Sequence, residues 1–109
     1  AFIALGRWIQ VEARQMGTAA MEQFPGDRVE ALMALVQSER HTLAERNRAV
    51  WALGQLRDPR ALHVLEKYYT GEPCDHARFL CQHELKKAIA LVKGEGFDPM
   101  RWLTPAAPR

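Results

Sequence analysis

Four residues within ten positions carry side chains that bind metals or exchange electrons: Cys74, His76, Cys81 and His83. Thiolate and imidazole are the donors that a tetrahedral zinc ion takes, so the composition invites a metal site. Helical spacing argues against one. On a single helix Cys81 and His83 point about 200° apart, and the pairs Cys74/Cys81 and His76/His83 lie roughly 10 Å apart along the axis. A shared ion would require the chain around Cys74 to stay unwound and fold back, and no metal ligand is assigned. A disulfide between Cys74 and Cys81 needs the same return, but only two groups have to meet, with Cα atoms within about 7 Å. Pro73 keeps this stretch out of the preceding helix. The bridge is therefore expected if the protein is exported to an oxidising compartment; otherwise Cys81 is a small buried hydrophobe.

Other chemistry is thin. Ser38 and His41 share a polar turn with no nucleophile motif around them. Glu66 and Glu84 fall on helix faces where carboxylates are solvated, and Glu45 pairs with Thr42 as a helix cap rather than a base. His63 stands at the rim beside Leu62. There is no glycine-rich phosphate loop. No catalytic and no cofactor-binding residue is assigned, no cofactor is expected, and the reading is non-enzymatic.

Composition leaves that reading in place. Hydrophobic residues make up 48% and charged residues 26%, the balance of an ordinary globular domain. The length of 109 residues fits one domain, 1–109. A net charge of +2 calls for no polyanionic partner. Arg40, Arg46, Arg48, Arg57 and Arg60 cluster in sequence, but Glu39, Glu45, Asp58 and Glu66 interleave with them. Such a mixed face is solvated or paired internally, so nucleic acid is not an expected partner.

The elements that must position these residues are helices. Phe2, Leu5, Ile9, Ala13, Met16, Ala20 and Phe24 recur at spacings of three and four, and Pro25-Gly26 ends that stripe. Asp27 with Glu30 opens a second helix, carrying Val29, Leu32, Met33 and Val36 on one face. Thr42 with Glu45 opens a third, which runs to about Leu56. Asp58-Pro59 opens a fourth, because proline at a first helical position loses no hydrogen bond. Its expected buried side chains are Ala61, Leu62, Leu65, Tyr68 and Tyr69. Asp75 is the expected cap of a fifth helix, with Cys81, Leu85, Ala88, Ile89 and Val92 as its stripe. Residues 97–109, with Trp102 and three prolines, read as an irregular tail.

Internal repetition ties these helices together. Ala31-Leu32-Met33-Ala34-Leu35 returns thirty residues later as Ala61-Leu62-His63-Val64-Leu65, each behind an aspartate cap. The centre of the pattern is Arg46-Asn47-Arg48-Ala49-Val50-Trp51-Ala52-Leu53-Gly54-Gln55-Leu56-Arg57-Asp58-Pro59-Arg60-Ala61. It reads as a helix, a tight turn and a second helix packed back on the first. This stretch resembles the HEAT-like repeats shared with phycobilin-lyase-type proteins. The resemblance implies an all-α fold, a short right-handed α-solenoid of antiparallel helix pairs with about five helices. It also implies that Arg48 bridges neighbouring repeats. It transfers no activity, because no chromophore-handling residues are identifiable.

The expected function is a non-enzymatic protein-protein interaction or scaffold domain with a protein partner. Periodicity places Met33, Gln37, His63, Glu66, Lys67 and Glu84 on the inner face of the solenoid as the candidate contact surface. The alternative is a lyase-like accessory or small-ligand-binding domain, for which a pocket lined by Trp51, Tyr68 and Tyr69 would speak. Residues 1–8 begin with the apolar run Ala1-Phe2-Ile3-Ala4-Leu5-Gly6, followed by Arg7-Trp8. Eight residues do not span a bilayer, which takes about 20. They read either as the end of a membrane helix continuing upstream of Ala1, with Trp8 at the interface, or as the start of a packed helix. The first reading makes the chain the extracytoplasmic soluble part of a membrane-anchored or exported bacterial protein; the alternative is a cytoplasmic solenoid.

Overall fold

The computed structural model describes the backbone of residues 2–94 and the side chains of residues 7–94; the tail expected at 97–109 and the side chains of the apolar run 1–6 lie outside the described residues. Among the described residues five α-helices follow one another: α1 (Phe2–Met21), α2 (Arg28–Gln37), α3 (Leu43–Leu56), α4 (Leu62–Tyr68) and α5 (Gln82–Val92). No strand occurs among the described residues. The all-α, HEAT-like reading is therefore the observed fold class.

Local chemistry sets most of the boundaries. At α2, the Asp27 carboxylate accepts the Glu30 N–H (2.9 Å) and the Glu30 side chain accepts the Asp27 N–H (3.0 Å). Thr42 and Glu45 repeat this exchange at α3, at 3.1 and 3.3 Å. Each box satisfies two donors that a helix start leaves without partners. Helix α3 ends at Arg57, whose φ of 55° is left-handed, a conformation that lets the chain leave the helix abruptly. A single 3₁₀ turn, Pro59–Ala61, then leads into α4.

The core consists of Ala13 and Ala20 from α1, Val29, Ala31, Leu32 and Val36 from α2, Ala49, Val50, Ala52 and Leu53 from α3, and Ala61, Val64, Leu65, Leu80, Leu85 and Ala88 beyond. Helix α3 is central and packs against α1, α2 and α5. Helix α4 lies against α5 and α2 rather than closely along α3. This departs from the expected second helix folded back on the first. It also explains why Val64 joins Leu65 in the core while Leu62 is only half-buried and Tyr69 is exposed. A short helix wedged between two neighbours buries two adjacent positions, and Tyr69 lies past its end.

Between Asp58 and Arg60 the turn is doubly tied. The Asp58 carboxylate accepts the Arg60 N–H at 2.9 Å and the Arg60 guanidinium at 2.9–3.2 Å. Arg60 also reaches the Asp27 carboxylate at 2.9 Å, joining the caps of α2 and of the turn before α4. Arg48, expected to bridge repeats, approaches Glu12 of α1 at 3.9 Å from an exposed position. The Arg60 guanidinium holds the Asp58 carboxyl below the usual aspartate range. Asp27 is lowered first by the Glu30 N–H, then by Arg60. Folded values below the unfolded ones mean that this stability is complete above about pH 4 and is lost as pH falls through the folded values. Asp58→Ala is expected to cost about 1 kcal/mol in urea unfolding, mostly through the cap, since exposed ion pairs add little. Asp58→Asn keeps a capping side chain but should flatten the acid limb of a Tm-versus-pH curve. An unchanged limb would show that Asp58 is not tied to Arg60 in this way.

Candidate functional site at the start of the fifth helix

Helix α5 begins at Gln82, not behind Asp75 as the pattern led one to expect, and Cys81 occupies its N-cap position. Residues 69–81 are irregular apart from one turn at 76–78. The Asp75 carboxylate accepts the Ala77 N–H (3.2 Å), and its carbonyl accepts the N–H groups of Arg78 (3.2 Å) and Phe79 (2.9 Å). The aspartate thus caps a single reversal instead of a helix. Leu80 then drops into the core and stops the turn from propagating.

That reversal brings one donor atom each of Cys74, His76 and Cys81 within 4.8 Å of one another. Both thiols are free. Cys74 and Cys81 are half-buried and His76 is exposed. The helical-phase argument against a common site does not apply here, because the two cysteines stand at the ends of a loop and not on successive turns of a helix. The backbone N–H of His83 faces the Cys74 sulfur and holds this thiol below its ordinary pKa; the His76 ring, the Gln82 N–H and the Cys81 thiol act in the same direction. The ring nitrogens of His83 lie outside the three-residue group. His83 instead lines a neighbouring cleft of about 310 Å³ with Tyr69, Glu72, Cys74 and Lys86.

Two residues to which the sequence reading gave no role hold this loop. Gln82 is the buried polar residue among those described. Its Oε1 accepts the N–H groups of Thr70 (2.8 Å) and Gly71 (3.3 Å), and its Nε2 donates to the carbonyls of Tyr68 (3.2 Å) and Leu80 (3.4 Å). Asn47 of α3 accepts the Cys81 N–H at 2.8 Å. A signal for Asn47 existed, since asparagine is a poor helix former in mid-helix and asks for a reason to be there.

The proposed contact surface is brought together only in part. Lys67 donates to Gln37 Oε1 at 3.2 Å, joining α4 to α2, and Gln37 Nε2 bonds the Met33 carbonyl at 3.4 Å. Met33 itself is half-buried against the core. His63 and Glu66 are exposed on α4, and Glu66 pairs with Lys93 at 3.6 Å. Glu84 pairs with Lys87 (3.0 Å) and lines a crevice with Trp51 and Gln55 of α3, apart from the residues joined at α2 and α4. The aromatic pocket of the alternative reading does not assemble. Trp51 lines that crevice, Tyr69 the cleft by Cys74, and Tyr68 a third cleft of about 600 Å³ with Arg46, Arg78 and Phe79.

Residues 45–70 match the family described as PBS lyase HEAT-like repeat. No curated protein and no solved structure matches the chain. The matched segment covers most of α3, the turn at Asp58-Pro59, all of α4 and the first residues of the loop that carries the cysteines. The described residues thus form an all-helical fold whose centre, residues 45–70, is similar to a HEAT-like repeat.

Proposed function

We propose that this chain is a non-enzymatic protein-interaction module that presents the α2–α4 face to a protein partner. The observation that carries the proposal is the HEAT-like repeat at 45–70, set in a fold whose α2 and α4 expose Gln37, His63, Glu66 and Lys67, with Lys67 bonded to Gln37 across the two helices. Stacked helical repeats present extended surfaces of this kind. The arginines support a protein over a nucleic acid as partner. Arg46 donates to the Val36 carbonyl (2.7 Å) and lies over the Tyr68 ring, while Arg48 and Arg60 face carboxylates. Placement as the soluble part of a membrane-anchored protein rests on the apolar run Ala1–Gly6 and on the exposed Trp8 and Val11. No helix among the described residues is long and apolar enough to cross a membrane.

Photo-crosslinking from position 63 in cells of the source organism is the test. A discrete protein adduct is expected, lost when Gln37→Glu and Lys67→Glu are combined in a variant that melts like the parent. Adducts that ignore the double substitution, or that form equally well from position 57 on another part of the surface, would sink the proposal.

A further inference from the structure

The chain reversal at 69–81 creates a group of donors that the interaction surface does not use. Two sulfurs and an imidazole nitrogen converge within 4.8 Å of one another, from residues seven positions apart in sequence. A tetrahedral zinc ion with Zn–S bonds of about 2.3 Å and Zn–N bonds of about 2.0 Å sets its donors roughly 3.5–3.8 Å apart. Side-chain rotation alone closes the remaining ångström, because the backbone has already turned back at Asp75. We propose that Cys74, His76 and Cys81 bind one zinc ion, with a fourth coordination position open to the adjacent cleft.

The surroundings are built for such a site. Asn47 anchors the Cys81 backbone, and Gln82 staples both ends of the loop, so the ligands are held before an ion arrives. Two thiolates and a neutral imidazole balance the charge of Zn²⁺, and this soft donor set selects zinc over magnesium or calcium. His83 stays outside the group, so the described residues supply three ligands. Three protein ligands and one free position is the arrangement that admits water or an exogenous ligand. Cys74 itself lines the 310 Å³ cleft together with Glu72 and Lys86, so the group borders open space.

The test uses the whole chain, reduced, stripped with chelator and titrated with Zn²⁺ alone or with Co²⁺ as a spectroscopic probe. Reduction matters because a Cys74–Cys81 bridge would consume both sulfurs. One ion per chain is expected, with thiolate-to-cobalt charge transfer, the intense visible bands of tetrahedral Co²⁺, and a higher Tm. Cys74→Ser, Cys81→Ser and His76→Ala should each weaken binding at least about 100-fold, since even outer-shell changes cost about 10–100-fold. The ion-free Cys74→Ser and His76→Ala variants should melt like the ion-free parent, because both positions lie in the loop, and Cys81→Ser should melt no lower, because serine at the N-cap of α5 is a better cap than cysteine; loss of binding is then not loss of fold. His83→Ala should leave stoichiometry and affinity unchanged. No saturable binding, an octahedral cobalt spectrum, or binding that survives Cys74→Ser or His76→Ala would overturn the site. Binding abolished by His83→Ala would overturn the open fourth position.

Discussion

Substituting Gly54 by leucine is expected to remove the cooperative unfolding transition at room temperature. A Cβ at this position would sit 2.8 Å from the Ala88 Cα and 2.9 Å from the Ala88 Cβ, where α3 crosses α5. The atom it meets is backbone, so no flexible side chain can swing aside. Even Gly54→Ala is expected to destabilise. Alanine in a helix interior gains up to about 1 kcal/mol over glycine, whereas forcing a methyl into a filled core costs about 1–3 kcal/mol. Leucine adds three further carbons and must separate the helices, exposing Leu53, Leu85 and Ala88. That loss is several kcal/mol out of a total of about 5–15 for a domain of this kind. Urea unfolding followed by circular dichroism reads both variants. A neutral or stabilised Gly54→Ala would mean that α3 and α5 do not approach this closely.

The second large effect is expected at Gln82. Gln82→Ala strips the acceptor from the Thr70 and Gly71 N–H groups and the donor from the Tyr68 and Leu80 carbonyls. A buried group left without its partner costs about 1–3 kcal/mol; here the bond to the Leu80 carbonyl is buried and the other three are partly so. We expect a loss of about 2–3 kcal/mol in urea unfolding. Amide exchange should accelerate at Thr70 and Gly71 well beyond the change in α1–α3. Gln82→Met keeps the side-chain volume but not the bonds and should lose nearly as much, which separates hydrogen bonding from packing. If Gln82→Met melts like the parent, the staple is not what holds the loop.

These two residues also mark where the sequence was legible and where it was not. The caps at Asp27, Thr42 and Asp58 were legible because each is settled by bonds between residues two or three apart. The repeat at 45–70 was legible for the same reason, as a local pattern of small residues, a cap and a proline. A glycine inside a helical pattern, as at Gly54, marks a close backbone approach without naming the partner; that α5 fills the place expected for the helix after Asp58-Pro59 depends on how the turn at Arg57 aims the chain. The start of α5 was misplaced because Asp75 carries the same local signal whether it caps a helix or a single turn. The choice was made by Leu80 reaching the core and by Asn47 and Gln82 bonding across 34 and up to 14 residues.

The cysteine and histidine group shows the division most sharply. By itself, the sequence determined which donors were available and that a helix could not bring them together. Whether the segment was a helix lay outside its reach, because periodicity over so few residues does not distinguish a turn from a helix start. The tertiary structure decided it. Burial of Leu80 and the long-range bonds to the Cys81 N–H and the Gln82 amide stabilise the unwound loop over one more turn of helix. The convergence of Cys74, His76 and Cys81 follows from those contacts, which are made with α3 and with the end of α4, not with sequence neighbours.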